Sequence, residues 1–265
     1  MPRAIVIRTA GTNCEQEMLR AFRLAGAETE LVHVDRLIDR PALLERADLL
    51  GFPGGFSYGD DIASGRILAM KIRERLWPQL REAAERGVLM IGVCNGFQVM
   101  VQVGLLPGPP PGQAWPHTPP AQTIALAHNA GGRFVDRWTG VHVPEHSVCV
   151  WTSGWKAGFD DDELLMPSAH GEGRIVGASD ELLDQLEAQG QIAVLYRENF
   201  NGSQRAIAGL CDVRGRICGL MPHPERFLDW TRHPYWTRLA DHGERATPGL
   251  AMFRAAVDAV AAHPV

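Results

Sequence analysis

The sequence predicts an α/β protein in which a central, mostly parallel sheet is flanked by helices and joined by a smaller antiparallel β portion. Through residues 1–106, short apolar runs that suit strands alternate with amphipathic runs that suit helices. This alternation is typical of a parallel sheet that is covered on both faces. Three strand-like runs within residues 122–155 favour antiparallel pairing. No internal repeat or separating linker is evident, so we expect a single domain over residues 1–265.

The first part of the chain has the most regular alternation. The predicted strands cover residues 4–8, 30–34, 48–52 and 88–93. The predicted helices cover residues 14–25, 41–47, 67–86 and 97–103, and Pro78 is expected to kink or divide the third of them. Ligands of such sheets sit beyond the carboxyl ends of the strands. The residues that follow the strands at 52 and 93 are therefore expected to share one site.

A proline-rich segment, residues 107–120, follows. Its prolines exclude a helix or a central strand, so we expect a stiff surface loop, with a docking arm for a partner as the alternative. Beyond it, the predicted strands cover residues 123–127, 132–143, 147–151, 192–196, 206–211 and 217–221. The predicted helices cover residues 181–189, 235–241 and 249–262.

Composition and charge exclude several classes of function. The net charge is −5 and no basic stripe is present, so nucleic acid is not an expected partner. The five cysteines are scattered and form no Cys-x-x-Cys pair, which argues against a disulfide framework and a zinc knuckle. The sequence shows no signal peptide and no apolar run long enough to cross a bilayer. We therefore expect a cytoplasmic protein without membrane contact.

Residues 88–100 combine a strand, a sharp turn and a helix around one cysteine. Cys94 follows the strand, and Gly92 and Gly96 flank it two residues away on either side. This is the cysteine form of the nucleophile elbow, in which glycines permit a turn too tight for Cβ atoms. A helix N-terminus also favours the thiolate, which is the nucleophilic form. The alternative is that Cys94 is an ordinary buried core cysteine.

A cysteine nucleophile needs a base, and the base needs an orienting group. The segment Pro222-His223-Pro224-Glu225 can supply both. A residue before proline favours extended geometry, and residues two apart in an extended chain point the same way. We therefore expect extended backbone at His223, with the Glu225 carboxylate on one imidazole nitrogen and the Cys94 thiol facing the other. The alternative is a surface histidine in a turn.

An acyl-transfer site also needs hydrogen-bond donors for the developing oxyanion. The backbone N–H of Asn95, directly after the nucleophile, is one such donor. The Gly-Gly loop within residues 53–60 can supply another, because glycine permits close approach of the backbone to a ligand. The alternative for this loop is an ordinary strand-to-helix connection.

The Gly-Gly loop, the cysteine elbow and the Pro-His-Pro-Glu segment together resemble the class I (triad) glutamine amidotransferases, whose fold is flavodoxin-like. Flanking segments resemble, within that class, the stand-alone glutaminase subunits of phosphoribosylformylglycinamidine synthase. These segments are Gly11-Thr12-Asn13-Cys14-Glu15, residues 54–60, Ala169-His170-Gly171-Glu172-Gly173-Arg174, Asn201-Gly202-Ser203 and residues 221–226. The resemblance spans nearly the whole chain.

The resemblance implies a role for each matching residue. Cys94 would attack the side-chain amide carbon of L-glutamine and form a γ-glutamyl thioester. His223, oriented by Glu225, would protonate the leaving ammonia and then activate water. The backbone N–H groups of Gly55 and Asn95 would form the oxyanion hole. The residues implied in the glutamine pocket are Gly54, Gln98, His170, Gly171 and Glu172, and no metal ion is expected.

The resemblance also implies partners. Ammonia would pass to a large synthetase subunit that uses ATP and Mg²⁺ to convert formylglycinamide ribonucleotide to formylglycinamidine ribonucleotide in purine synthesis. A small third subunit would bridge the two. This chain has no Gly-x-x-x-x-Gly-Lys-[Ser/Thr] loop, so no cofactor is expected in it. The alternatives are a triad amidotransferase that serves another nucleotide acceptor, a cysteine hydrolase on a related flavodoxin-like sheet, and a subunit that only binds.

Overall fold

A computed structural model describes residues 1–156, 158–239 and 243–262. The strands are β1 (Arg3–Arg8), β2 (Glu28–His33), β3 (Leu49–Phe52), β4 (Leu89–Val93), β5 (Ile124–His128), β6 (Val135–His142), β7 (Leu165–His170), β8 (Glu172–Gly177), β9 (Ile192–Tyr196), β10 (Ile207–Cys211) and β11 (Ile217–Leu220). The α-helices are α1 (Glu15–Leu24), α2 (Val34–Asp39), α3 (Arg66–Arg75), α4 (Trp77–Arg86), α5 (Asn95–Val103), α6 (Asp180–Ala188) and α7 (Pro248–Ala262).

Nine of these strands form one sheet in the order β2-β1-β3-β4-β11-β10-β9-β6-β7. The first five strands of this order are parallel neighbours. The last four extend the sheet through antiparallel pairs. The strands β5 and β8 pair antiparallel in a separate small sheet. The predicted fold class, a largely parallel sheet with helices and a smaller antiparallel β portion, is confirmed.

The middle of the parallel part brings three loops together. Every residue of β3, β4 and β11 is buried, as expected for strands that are covered on both faces. In the sheet register, Phe52 pairs with Gly92, and Val93 pairs with Leu220. The Gly-Gly loop, Cys94 and the Pro-His-Pro-Glu segment follow the ends of these strands. Parallel pairing therefore places all three at the same edge of the sheet.

The predicted long helix over residues 67–86 is divided, as the position of Pro78 suggested. The helix α3 ends at Arg75, and α4 begins at Trp77 with Pro78 in its first turn. Proline is tolerated there because first-turn N–H groups have no intrahelical acceptor. The two helices are consequently separate elements.

Two predicted elements are wrong. Residues 147–151 form no strand, because the N–H groups of Val148 and Val150 donate to the loop carbonyls of Gly190 and Gly215, at 2.9 Å in each case. The helix predicted at 235–241 is absent from its described part, residues 235–239, which forms turns and a bend. Ala240 and Asp241 lie outside the described residues.

The sequence pattern missed two strands, β7 and β8. Glycines interrupt the apolar pattern here, and Pro167 lies inside β7, opposite Trp138 of β6. Proline is accepted in β7 because this strand lies at the edge of the nine-stranded sheet. Gly171 alone separates β7 from β8, so the segment around His170 and Glu172 connects the two sheets.

The proline-rich segment contains no helix or strand, as expected, and it packs against the body of the protein. The indole Nε1 of Trp77 donates to the carbonyl of Pro116 at 3.1 Å, and the Arg73 guanidinium donates to the carbonyl of Pro120 at 3.1 Å. Trp115 is buried against Trp77, with ring centroids 6.2 Å apart. These contacts hold the segment as a loop along α3 and α4. No helix in the described residues has the length and apolar character needed to cross a membrane.

Candidate active site

Cys94 occupies a tight turn between β4 and α5. Its φ of 51° and ψ of −108° lie outside the regions that non-glycine residues ordinarily adopt. A Cβ added at Gly96 would lie 1.8 Å from the backbone oxygen of Phe52, and one at Gly92 would lie 2.8 Å from the backbone oxygen of Gly96. Close backbone approach therefore requires both glycines. The geometry is that of a nucleophile elbow, as predicted.

The elbow opens onto a cavity of about 180 Å³. Seven of the predicted site residues line it: Gly55, Cys94, Gln98, His170, Gly171, Glu172 and His223. The other predicted residues, Gly54, Asn95 and Glu225, do not line the cavity, but each contacts a residue that does. The structure thus gathers segments from both ends of the chain around one cavity.

His223 and Glu225 form a buried pair. Nδ1 of His223 lies 2.6 Å from Oε1 of Glu225, and the two side chains are 2% and 0% exposed. The predicted contact is present, but the predicted extended backbone at His223 is wrong: φ is −107° and ψ is 81°, and Pro224–Arg226 form a 3₁₀ turn. The turn brings the carboxylate back onto the ring. The backbone N–H of His223 also donates to the carbonyl of Pro167 at 2.7 Å, which ties the turn to β7.

The surroundings of His223 favour its protonated form. Burial lowers the pKa of the imidazole, but the negative charge of Glu225 and interactions with the thiols of Cys14 and Cys94 outweigh burial and raise the pKa well above its usual value. The direction of this shift favours an imidazole that can donate a proton. A proton on this ring is what a departing amine requires.

The nucleophile and the base are close but not yet aligned. The Sγ of Cys94 lies 3.6 Å from the carbonyl oxygen of Ala169. Nε2 of His223, the nitrogen turned away from Glu225, has no hydrogen-bond partner among the described residues. The expected proximity of thiol and imidazole is therefore present without a hydrogen bond between them. Catalytic hydrogen bonds often tighten only when a substrate is bound.

Gly54 lies beneath the reacting side chains. A Cβ added at Gly54 would lie 2.9 Å from Cε1 of His223, 3.2 Å from Sγ of Cys14 and 3.5 Å from Cβ of Cys94. The absence of a side chain at this position leaves room for all three. Gly54 therefore shapes the site from below and does not line the cavity itself.

The two predicted oxyanion donors lie in the loop after β3 and directly after Cys94. Gly55 lines the cavity with a φ of 141°, and a Cβ there would lie 2.6 Å from the backbone oxygen of Gly11. Asn95 begins α5, where first-turn N–H groups have no intrahelical acceptor. Both positions suit an oxyanion hole, and the role stays a prediction.

Gln98 supports the cavity wall. Its Nε2 donates to the backbone oxygen of Glu172 at 2.5 Å, and its Oε1 accepts from Nδ2 of Asn95 at 3.0 Å. Both ends of the side-chain amide are thus engaged within the protein. We infer that Gln98 positions the segment around Glu172.

His170 is a buried, neutral histidine in the cavity wall. Burial, followed by the nearby charge of His223, lowers the pKa of His170 to about 4. The amide of Asn129 donates to the carbonyls of Arg133 and His170, so its Oδ1 accepts from Nδ1 of the His170 ring at 3.1 Å. This leaves Nε2 as an acceptor, and it has no partner among the described residues.

Several residues that the sequence analysis did not assign to the site also line the cavity, and three of them, Asp60, Cys14 and Arg226, carry charged or nucleophilic groups. Asp60 accepts hydrogen bonds from Gly65 N and Ser64 Oγ at 3.1 Å each. Burial and the charge of Glu172 raise the pKa of the Asp60 carboxyl, although the hydrogen bonds that it accepts oppose the shift. Arg226 donates to Sγ of Cys14 at 3.0 Å. All three lie within segments that carried the family resemblance, but no pattern within the sequence indicated their side-chain contacts.

Comparison with known proteins agrees with this geometry. Residues 1–260 match the CobB/CobQ-like glutamine amidotransferase domain family. The chain is 41% identical to the phosphoribosylformylglycinamidine synthase subunit PurQ of Dehalococcoides mccartyi, with 96% of each chain covered. It is 40% identical to the PurQ subunit of Methanococcus maripaludis, with 86% of this chain and 83% of that relative covered. A chain in the structure of PurLQS from Thermotoga maritima is similar with a TM-score of 0.72 and 31% identity, over 98% of this chain and 99% of that chain. This chain therefore belongs to the CobB/CobQ-like glutamine amidotransferase family and, within it, to the PurQ subunits of phosphoribosylformylglycinamidine synthase.

Proposed function

We propose that this chain is a glutaminase that hydrolyses L-glutamine through a thioester on Cys94 and supplies ammonia to a synthetase partner in purine synthesis. The observation that carries the proposal is the shared cavity of Cys94 and His223, with the imidazole held by the buried carboxylate of Glu225. A nucleophile, a proton donor and an orienting acid in one cavity are the parts that acyl transfer from an amide requires. Membership of the PurQ family favours this function over a cysteine hydrolase or another nucleotide acceptor.

The reaction follows from the positions of these groups. The proton shared by the Cys94 thiol and the His223 imidazole lies on His223, so Cys94 attacks the side-chain amide carbon as a thiolate, and the N–H groups of Gly55 and Asn95 stabilise the negative charge that develops on the oxygen. The C–N bond then breaks, the nitrogen takes the proton of His223 and leaves as ammonia, and a γ-glutamyl thioester remains. His223, now neutral, takes a proton from water. The resulting hydroxide attacks the thioester carbon, the C–S bond breaks and glutamate is released, which restores the Cys94 thiolate and the protonated His223.

Two acidic side chains provide a site for the α-ammonium group of glutamine. Asp60 and Glu172 both line the cavity, and the charge of Glu172 raises the pKa of the Asp60 carboxyl. Two carboxylates that disfavour each other's charge are stabilised by a cation between them. We assign the α-ammonium to this pair. His170, as a neutral acceptor, and Gly171 complete the predicted pocket.

The proposed partners are a large synthetase subunit, which would bind ATP and Mg²⁺, and a small bridging subunit. The similarity to PurQ subunits and to a chain of PurLQS supports assembly with other subunits. The incomplete thiol–imidazole alignment supports a dependence on assembly, because docking of a partner can complete catalytic geometry. We expect no cofactor within this chain.

The proposal is tested by measuring glutamate release from glutamine, with and without the synthetase and bridging subunits. Cys94→Ala is expected to abolish release under both conditions, and adding the partners is expected to raise the rate of the unsubstituted chain. Cys149→Ala serves as the matched control, because Cys149 is equally buried but lies outside the cavity. Full activity of Cys94→Ala, or no glutamate from the unsubstituted complex, would overturn the proposal. Circular dichroism checks that each variant is folded.

A further inference from the structure

A second thiol, that of Cys14, lies beside the imidazole of His223 and has no part in the reaction given above. Cys14 is 0% exposed and directly precedes α1. Its Sγ lies within 4.8 Å of an imidazole nitrogen of His223. A Cβ added at Gly54 would lie 3.2 Å from this sulfur and 2.9 Å from Cε1 of the ring. The sulfur and the ring are therefore neighbours over the same glycine.

Two hydrogen bonds fix the position of the Cys14 sulfur. The S–H group donates to Oδ1 of Asn13 at 3.1 Å, and Sγ accepts from Nη2 of Arg226 at 3.0 Å. The backbone N–H of Cys14 also donates to the carbonyl of Gly54 at 3.2 Å. A thiol sulfur is a weak acceptor with two lone pairs, and Arg226 occupies one of them. The other lone pair is available to the imidazole.

Nε2 of His223 is the ring atom that needs such an acceptor. Glu225 holds Nδ1 at 2.6 Å, whereas Nε2 is buried and has no hydrogen-bond partner among the described residues. Buried polar atoms without a partner are uncommon and indicate a functional role. Interactions with the sulfurs of Cys14 and Cys94 both raise the pKa of the imidazole. Each of the two sulfurs therefore favours the protonated ring.

We propose that Cys14 is a positioning residue that stabilises protonated His223 while Cys94 is held in the thioester; this role rests on the proposed function. Before glutamine is attacked, the Cys94 thiolate stabilises the neighbouring imidazolium. In the thioester, the sulfur of Cys94 carries no charge and is a weaker acceptor. His223 must nevertheless take a proton from water at this stage. The sulfur of Cys14 is then the acceptor that remains beside the ring.

Removal of the Cys14 sulfur is expected to affect the two half-reactions unequally. In acylation His223 loses its proton to the leaving nitrogen, so weaker stabilisation of the imidazolium does not slow this transfer. In deacylation His223 gains a proton, so the same change slows the activation of water. The ratio kcat/KM reports the steps up to the release of ammonia, whereas kcat also includes deacylation. A fall in kcat without a fall in kcat/KM is therefore the signature of this role.

The values of kcat and KM are measured from the consumption of L-glutamine by the complex with the synthetase and bridging subunits. Cys14→Ala is expected to lower kcat by roughly 3- to 10-fold, the value of one hydrogen bond, and to leave kcat/KM within about twofold. Cys14→Ser keeps a donor for Asn13 and an acceptor for Arg226 and the imidazole, so it is expected to restore kcat. Cys149→Ala, at an equally buried cysteine outside the cavity, is the matched control and is expected to change neither value. Circular dichroism checks that each variant is folded.

Hydroxylamine distinguishes slow deacylation from general damage to the site. It attacks the thioester without prior loss of a proton, forms γ-glutamyl hydroxamate and frees Cys94. Its addition is expected to bring glutamine consumption by Cys14→Ala close to the unsubstituted rate. Equal falls in kcat and kcat/KM, no fall in kcat, no response to hydroxylamine, or a Cys14→Ser complex as slow as Cys14→Ala overturns the role of Cys14. Absence of hydrolysis by the unsubstituted complex overturns the proposed function instead.

Discussion

The imidazole Nδ1 of His223 and Oε1 of Glu225 lie 2.6 Å apart across a single 3₁₀ turn. Both side chains are almost fully buried, so water does not screen the pair. The carboxylate fixes the tautomer and orientation of the ring and, with the nearby thiols, raises its pKa despite burial. Several measurable consequences depend on this and neighbouring contacts.

Glu225→Gln is expected to lower kcat for glutamine hydrolysis by about 10² to 10⁴-fold. The reason is that loss of the negative charge lowers the pKa of His223 and no longer fixes its imidazole in one tautomer. The measurement is steady-state glutamate release, together with NMR titration of the His223 ring. Glu198→Gln, at an exposed glutamate paired with Arg137, is the matched control and should behave like the unsubstituted chain. A kcat within twofold of the unsubstituted value would show that Glu225 does not orient the base.

Gly54→Ala is expected to lower kcat while the protein stays folded. The added methyl group would lie 2.9 Å from Cε1 of His223 and 3.2 Å from Sγ of Cys14, so these side chains must shift, which changes the position of the imidazole relative to Cys94. Gly131→Ala adds a methyl group with no heavy atom within 4 Å and should change nothing. Equal rates for the two variants would mean that the imidazole tolerates displacement.

Asp60→Asn is expected to raise KM for glutamine by about 10- to 100-fold, with a smaller effect on kcat. The reason is loss of a charge-assisted hydrogen bond to the α-ammonium group, which is worth roughly 1.5–3 kcal/mol. Asp61→Asn changes a neighbouring exposed carboxylate and is the matched control. If KM stays constant in Asp60→Asn while kcat falls, the carboxylate serves the cavity wall and not the substrate.

His170→Gln is expected to flatten the dependence of stability on pH between about 4 and 6.5. The pKa of His170 falls to about 4 in the folded protein, so the unfolded chain binds an additional proton over this interval. Stability of the unsubstituted chain therefore rises with pH through it, by up to about 3 kcal/mol from this group. Urea unfolding at several pH values measures the effect, with His142→Gln, at an exposed histidine, as the control. Parallel curves for the His170 variant and the unsubstituted chain would contradict the prediction.

Local patterns were enough to predict the elbow and the base. The turn at Cys94 requires glycines at fixed positions, and Pro222 and Pro224 confine His223, so each feature is visible within a few residues. The alternation of strands and helices then indicated that the Gly-Gly loop and Cys94 meet at one edge of the sheet. The predicted contact between Glu225 and the His223 ring is present, but a 3₁₀ turn and not an extended strand brings the carboxylate to the ring.

Contacts set by tertiary packing could not be predicted from local patterns. Strands β7 and β8 were missed because edge position, and not hydrophobic periodicity, makes Pro167 acceptable there. Cys14 and Arg226 are more than 200 residues apart in the chain, and nothing near either one signals their contact. Asp60 adopts a φ of 53°, which places its carboxylate between Gly65 and Ser64. No pattern among the neighbouring residues indicates that Asp60 adopts this positive φ.

The central position of β11 determines when, during synthesis of the chain, the catalytic site can form. This strand is inserted between β4 and β10, although it is the last strand in the part of the chain that the structure describes. During translation Cys94, which follows β4, leaves the ribosome long before β11 and His223, which follows β11, have been synthesised. A nascent chain therefore holds a cysteine that cannot yet split glutamine, and competence arises only when the sheet closes around its final strand. Release of ammonia is thereby confined to finished molecules.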